Sequence, residues 1–152
     1  MKIIHKTLKL KSAKFLDFID LTDEVETLVK TNRIKNGLVM IYSKHTTGAI
    51  RINEKEKGIV KDFRHFVTKL VPPDHYYHHN DLTERTENLV CEPGASDCLN
   101  GHSHILHLLM GATSETLSVI DGKLILGTWQ RIFFIELDTG RPREVLIKIM
   151  SD

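Results

Sequence analysis

Apolar residues recur along the chain with two different periods, and the switches between them mark out the elements. Residues 3–11 alternate loosely and predict a strand; Phe15 to Asp20 predicts a second. Thr22 offers a helix N-cap, and Asp23 and Glu24 suit the positive end of the dipole. Val25, Leu28 and Val29 follow at helical spacing, and Gly37 lies past the end. Leu38 to Tyr42 reads as a buried strand, and Ala49 to Ile52 as another after the turn-like His45-Thr46-Thr47-Gly48. A helix over 54–71 is the clearest prediction. Asn53 would cap it, Glu54 and Glu56 would sit in its first turn, and Pro72-Pro73 would stop it. At about 100° per residue, Ile59, Val60, Phe63, Phe66, Val67 and Leu70 share an arc of roughly 120°, with Glu54, Asp62 and His65 opposite.

From Asp74 to about Asn100 no strong period appears. So long an irregular stretch inside a compact domain usually carries function or is disordered, and its histidines and tyrosines argue for function. A short helix follows from about His102 to Met110, ending at Gly111. The last third is β-rich. Glu115 to Ile120, then Asp121-Gly122, then Lys123 to Leu126 is a hairpin signal. Thr128 to Leu137 and Glu144 to Met150 are the final strands. The pattern predicts an α+β fold of seven or eight mainly antiparallel strands and three helices in one domain over 1–152. Ile132-Phe133-Phe134-Ile135 places apolar side chains on both faces of its strand, so its second face needs a cover. A helix or sheet of the same chain could supply it; a threefold subunit interface is the expectation the family resemblance given below favours.

Composition narrows the function. Twenty-one basic and 20 acidic residues leave a net charge of +1, which argues against a dedicated nucleic-acid or polybasic membrane binder. No apolar run approaches the ~18 residues of a membrane helix, and the start shows no signal peptide, so the expectation is a cytoplasmic protein. Cys91 and Cys98 lack the spacing of a zinc ribbon or redox pair and read as unrelated loop thiols. Histidine is the unusual count. Six of nine (His75, His78, His79, His102, His104, His107) fall between residues 75 and 107.

Three separate segments, near His45, His79 and His104, each bring a histidine to an element end or a loop. Neutral imidazoles from separate elements can make a three-nitrogen metal site with an open position, or serve as acid, base and phosphate-binding groups. Asp62 and Glu54 could orient them. Thr46 and Thr47 add hydroxyls at the first corner, Asn53 precedes a helix start, and Arg141-Pro142-Arg143 follows a turn from which it could reach phosphate. Trp129 and Gln130 point to opposite faces of their strand.

These segments resemble one family, the YjbQ-like proteins, also called secondary thiamine-phosphate synthases. The matching pieces are His45-Thr46-Thr47-Gly48, Asn53-Glu54 with Asp62, His79-Asn80, Asn100-Gly101-His102-Ser103-His104, and Leu126-Gly127-Thr128-Trp129-Gln130 with Glu136 beyond. The segment from about Asp81 to Leu99 is longer than in compact members, so no role passes to Glu84, Arg85, Glu87, Cys91 or Asp97. The resemblance implies a two-layer β sandwich assembled as a homotrimer, with His45, His79 and His104 gathered near a subunit boundary. It implies the joining of hydroxymethylpyrimidine diphosphate to thiazole phosphate, as a weak activity. His45, His79, His104, Asp62 and Glu54 are then the catalytic candidates. Thr46, Thr47, Asn53, Trp129 and Gln130 are the ligand-binding ones. A divalent metal, zinc or magnesium, would sit on the three histidines. Two alternatives stand beside the transferase: a metal-dependent hydrolase of a small phosphorylated or acyl substrate, and a non-catalytic ligand- or metal-binding protein.

Overall fold

The computed structural model describes residues 1–89, 98–110 and 113–152. In chain order the elements are β1 (Lys2–Lys11), β2 (Phe18–Asp20), α1 (Thr22–Thr31), β3 (Gly37–Ser43), β4 (Gly48–Glu54) and α2 (Lys57–Leu70). A 3-10 turn (His78–Asn80) and α3 (Gly101–Met110) follow, then β5 (Ser114–Ile120), β6 (Lys123–Leu124), β7 (Gln130–Glu136) and β8 (Pro142–Ser151). A five-stranded antiparallel sheet runs in the order β1-β8-β3-β5-β6, and a three-stranded antiparallel sheet in the order β2-β7-β4. This is the α+β fold the patterning predicts, in the two-sheet arrangement the family resemblance implies.

Strand alternation explains the stacking. Buried positions of β8 fall at every second residue, Val145, Ile147 and Ile149, and meet Val39 and Ile41 of β3, Val25 and Val29 of α1, and Ile132 and Phe134 of β7 in one core. The other parity of β7, Phe133 and Ile135, joins Ala49, Val67, Val71 and Leu106 in a second core under α2 and α3. So the second face of β7 is covered by helices of the same chain, and the expectation that a threefold interface covers it is corrected. Burying each such side chain contributes about 1.5–3 kcal/mol. The sheet edge β1 carries exposed Lys2, Lys6, Lys9 and Lys11, charges that discourage edge-to-edge pairing.

Three local readings change. Asn53 and Glu54 do not open a helix: β4 stays paired with β7 as far as Glu54↔Gln130, and the ladder outweighs the capping chemistry. Glu56 is the N-cap of α2 instead, its carboxylate accepting the Gly58 and Ile59 amides at 2.6 and 2.8 Å. On α2 only Val67 is buried; Phe66 and Leu70 are 64% and 57% exposed, so the predicted apolar face is wider than the one that packs. The start of α1 also shifts, to a cap at Leu21, with the Asp20 carboxylate accepting the Thr22 amide and hydroxyl. The Asp121-Gly122 hairpin forms as predicted, with both residues at positive φ, as a type I′ turn requires. The predicted helix end at Gly111 lies outside the described residues.

Candidate functional site

The corner between β3 and β4 is held close to the sheet because Gly48 has no side chain; a Cβ there would lie 2.6 Å from the Phe134 ring. The 3-10 turn is clamped to the start of α3 in the same way. Asn80 Oδ1 accepts the Gly101 amide at 2.9 Å, and a Cβ on Gly101 would meet Tyr77 Cβ at 2.6 Å. These two close approaches bring three chain segments around one cavity of about 450 Å³. Its walls include His45, Thr46 and Thr47 from the corner, His79 from the turn, His104 from α3, and Arg141 and Arg143 from the start of β8. Lys44, Arg85, Asn88, Cys98 and Asn100 complete the described lining, which contains no carboxylate.

The histidines differ in what their rings already do. His45 Nε2 accepts the Glu144 amide at 2.9 Å, which places its proton on Nδ1 when the ring is neutral. His79 and His104 are in ring contact, centroids 4.6 Å apart. Burial pushes all three below the usual histidine range. Arg143 adds to the effect at His45, Arg85 at His79, and His79 at His104. All three are therefore neutral near pH 7.

The cations are held by their neighbours. Arg143 is 5% exposed and Glu136 fully buried, and they form a two-pronged ion pair, with Arg143 Nε on Glu136 Oε2 at 2.7 Å. Arg143 Nη2 also donates to Thr47 Oγ1 at 3.0 Å. Ser12 Oγ and the Asp138 amide fill the remaining positions on Glu136. Nη1 of Arg143 has no partner among the described residues, and Arg143 is part of the cavity wall. Arg141 pairs with Asp138, and Lys44 with Glu144. Arg85 meets backbone carbonyls, those of His79 and Cys98 each at 3.1 Å, and no carboxylate among the described residues.

Of the residues singled out from sequence, the cavity gathers His45, Thr46, Thr47, His79 and His104. Asp62 is exposed on α2 and does not line it. Asn53 and Glu54 line a different, largely apolar cavity of about 180 Å³ with Phe18, Phe63 and Phe133. Trp129, 71% exposed, and Gln130 stand at the β6–β7 turn and line neither cavity. Among the described residues, no three His, Cys, Asp or Glu side chains are grouped to hold a metal ion. His45 also spends its neutral lone pair on the Glu144 amide.

Nearly the whole chain is shared with known proteins. The profile of the "UPF0047 protein YjbQ-like" family matches residues 6–152. The chain belongs to the YjbQ-like family. It is 40% identical to a UPF0047 protein of Archaeoglobus fulgidus, covering 94% of this chain and 98% of that one. It is 34% identical to the UPF0047 protein YugU of Bacillus subtilis, covering 96% and 98%. The crystal structure of a protein of unknown function from Sulfolobus solfataricus P2 superposes with a TM-score of 0.83 at 30% identity, covering 99% of both chains. A hypothetical protein of Aeropyrum pernix K1 gives 0.82 at 31%, covering 98% and 99%.

Within this YjbQ-like chain, sequence reasoning gave Arg85 and Asp138 no part in the site, had Asn100 only inside a matched motif, and had Arg143 as a turn residue able to reach phosphate. A signal for Arg143 exists: it sits in phase with Val145, Ile147 and Ile149, an arginine on the buried parity of a strand. Such a charge must be paired inside the protein or serve a site. Arg85 has no comparable signal, since it lies in a segment without period. Cys98 is not a free thiol, which corrects its reading as one; Cys91 lies outside the described residues. Among the described residues no helix is long and apolar enough to cross a membrane.

Proposed function

We propose that the cavity between the β3–β4 corner, the 3-10 turn and α3 binds the phosphate or diphosphate group of a small molecule. The observation that carries this reading is the lining itself: Arg85, Arg141, Arg143 and Lys44 with three histidines and no described carboxylate. Arg143 is held rigid by Glu136 and Thr47, so it meets an anion with its orientation already fixed. His45 Nδ1–H and the Thr46 hydroxyl are further donors at the same wall.

The reaction supported best by the family resemblance is transfer to a thiazole phosphate. The bond between the pyrimidine methylene carbon and the diphosphate oxygen breaks, its electron pair leaving with pyrophosphate. The thiazole nitrogen forms the new bond to that carbon, giving thiamine phosphate. The cavity's cations would stabilise the departing pyrophosphate. A divalent ion, if it takes part, would enter with the diphosphate oxygens rather than in a three-histidine cage.

Calorimetric titration with pyrophosphate, with and without magnesium or zinc, tests the site; a Kd in the micromolar range is expected. Incubation with both phosphorylated precursors then tests the chemistry. Thiamine phosphate with one pyrophosphate per turnover supports the transferase. Hydrolysis of a phosphorylated precursor without joining selects the hydrolase, and binding without turnover selects a ligand-binding role. Absence of pyrophosphate binding under all these conditions overturns the reading.

A further inference from the structure

Behind His79 lies a chain of hydrogen bonds that fixes which of its nitrogens is basic. Asp138 is 3% exposed, and its carboxylate accepts from three donors. Oδ2 takes the Asn100 amide nitrogen at 2.7 Å and Arg141 Nη2 at 2.9 Å, while Oδ1 takes the Thr139 backbone N–H at 2.7 Å. A carboxylate paired with a guanidinium is ionised and can only accept. The side chain of Asn100, itself 5% exposed, must therefore turn its NH2 toward Asp138. The flipped amide would set two acceptor oxygens 2.7 Å apart in a buried place. With NH2 committed, Asn100 presents Oδ1 to His79 Nε2 at 3.2 Å, and Nε2 must carry the hydrogen. Nδ1 is left with the lone pair, and it has no hydrogen-bond partner among the described residues.

The geometry points to Asp138 and Asn100 as positioning residues that hold His79, a residue of the cavity wall, as the Nε2–H tautomer, with Nδ1 as its proton-accepting atom. The backbone fixes the distances. His79 and Asn80 are neighbours on the 3-10 turn, and both are bonded across to the start of α3, His79 to Asn100 and Asn80 to Gly101. His45 is set oppositely by the Glu144 amide, as the Nδ1–H tautomer. Two of the cavity's three imidazoles are therefore set, His45 as a donor and His79 as an acceptor. A ligand matched to that pair carries an anionic group for His45 and Arg143. It also carries an O–H or N–H that can pass its proton to His79. The use of that lone pair on a ligand rests on the anion-site reading above; the tautomer does not.

The test is a two-bond ¹H–¹⁵N correlation spectrum of the full-length ¹⁵N-labelled protein at neutral pH, with His79 assigned by comparison with His79→Gln. The expected result is a ring proton on Nε2 and a bare Nδ1. In Asp138→Asn the amide of Asn100 loses its fixed acceptor, and an Nδ1–H population should appear. Arg141→Gln keeps the carboxylate and should leave the tautomer unchanged. An Nδ1–H or doubly protonated His79 in the native protein overturns the inference, as does a tautomer unmoved by Asp138→Asn. If Asp138→Asn fails to fold, the native tautomer decides. Titration with inorganic pyrophosphate in the same experiment keeps the two readings apart. An Nε2–H ring with no pyrophosphate binding supports the relay and sinks the anion site. Binding alongside an Nδ1–H ring does the reverse.

Discussion

Glu136 and Arg143 face each other across the β7–β8 connection as an ion pair whose carboxylate is fully buried. Breaking such a pair leaves an uncompensated charge inside the protein. Glu136→Gln is expected to lower stability by about 3–5 kcal/mol. Urea denaturation followed by circular dichroism reads this directly, and a loss under about 1 kcal/mol would mean that water reaches the pair.

Arg143→Lys separates the fold from the site. Lysine can keep a charge opposite Glu136 but cannot span both of its oxygens and Thr47 at once. Pyrophosphate affinity is expected to fall at least tenfold while the protein stays folded. Unchanged affinity would remove Arg143 from the anion contact.

Burial lowers the pKa of His45, His79, His104 and His102 in the folded chain. The unfolded chain therefore binds more protons than the folded one once pH falls below the usual histidine value of about 6.5. Stability should be flat above that pH and decline as pH falls through it. The lowered carboxylates Asp20 and Glu144 act only further down, below about pH 4.5. Denaturation midpoints at pH 7.5, 6.5 and 5.5 check the sign, and His104→Gln should flatten the slope. Bound pyrophosphate should oppose the decline, because an anion favours the charged imidazoles.

Gly101→Ala forces a methyl group against Tyr77 Cβ, where an ideal Cβ would lie at 2.6 Å. The expected cost is about 1–3 kcal/mol. The 3-10 turn must move to relieve it, so the His79–Asn100 bond should loosen with it. Thermal unfolding together with the His79 ring signals checks both effects. Loss of stability with unaltered ring signals would show that the turn and α3 move as one body.

A trimer of the kind the family resemblance implies would need a surface other than β7. The two faces of β7 are satisfied within the chain, but Phe66 and Leu70 of α2 and Leu108 and Leu109 of α3 are each more than half exposed. Surface of this kind is typical of interfaces. Light scattering is expected to give about three times 17.4 kDa, and Leu108→Glu to reduce it. A monomer at micromolar concentration would contradict the trimer.

The fold was legible where one local rule acted alone. The Asp121-Gly122 turn and the apolar run of β7 are of this kind. It was misread where a distant partner decided, as at Asn53 and Glu54, which pairing with Arg131 and Gln130 keeps extended. The histidines of the site were found because they stand out in composition and match a family pattern. Their orienting groups were not, because the contact between Asn100 and Asp138 spans 38 residues and leaves no periodic trace.

In the five-stranded sheet β8 lies between β1 and β3, and β1 at the edge pairs with β8 along its full length, Lys2↔Ser151 to Lys11↔Pro142. The first strand of the fold thus waits for its last one. Until residues 142–151 emerge, β1 and β3 each lack a neighbour, and Arg143 is not yet present to meet Glu136. The five-stranded sheet cannot close before residues 142–151 are made, so its central pairing is a slow, non-local step of folding.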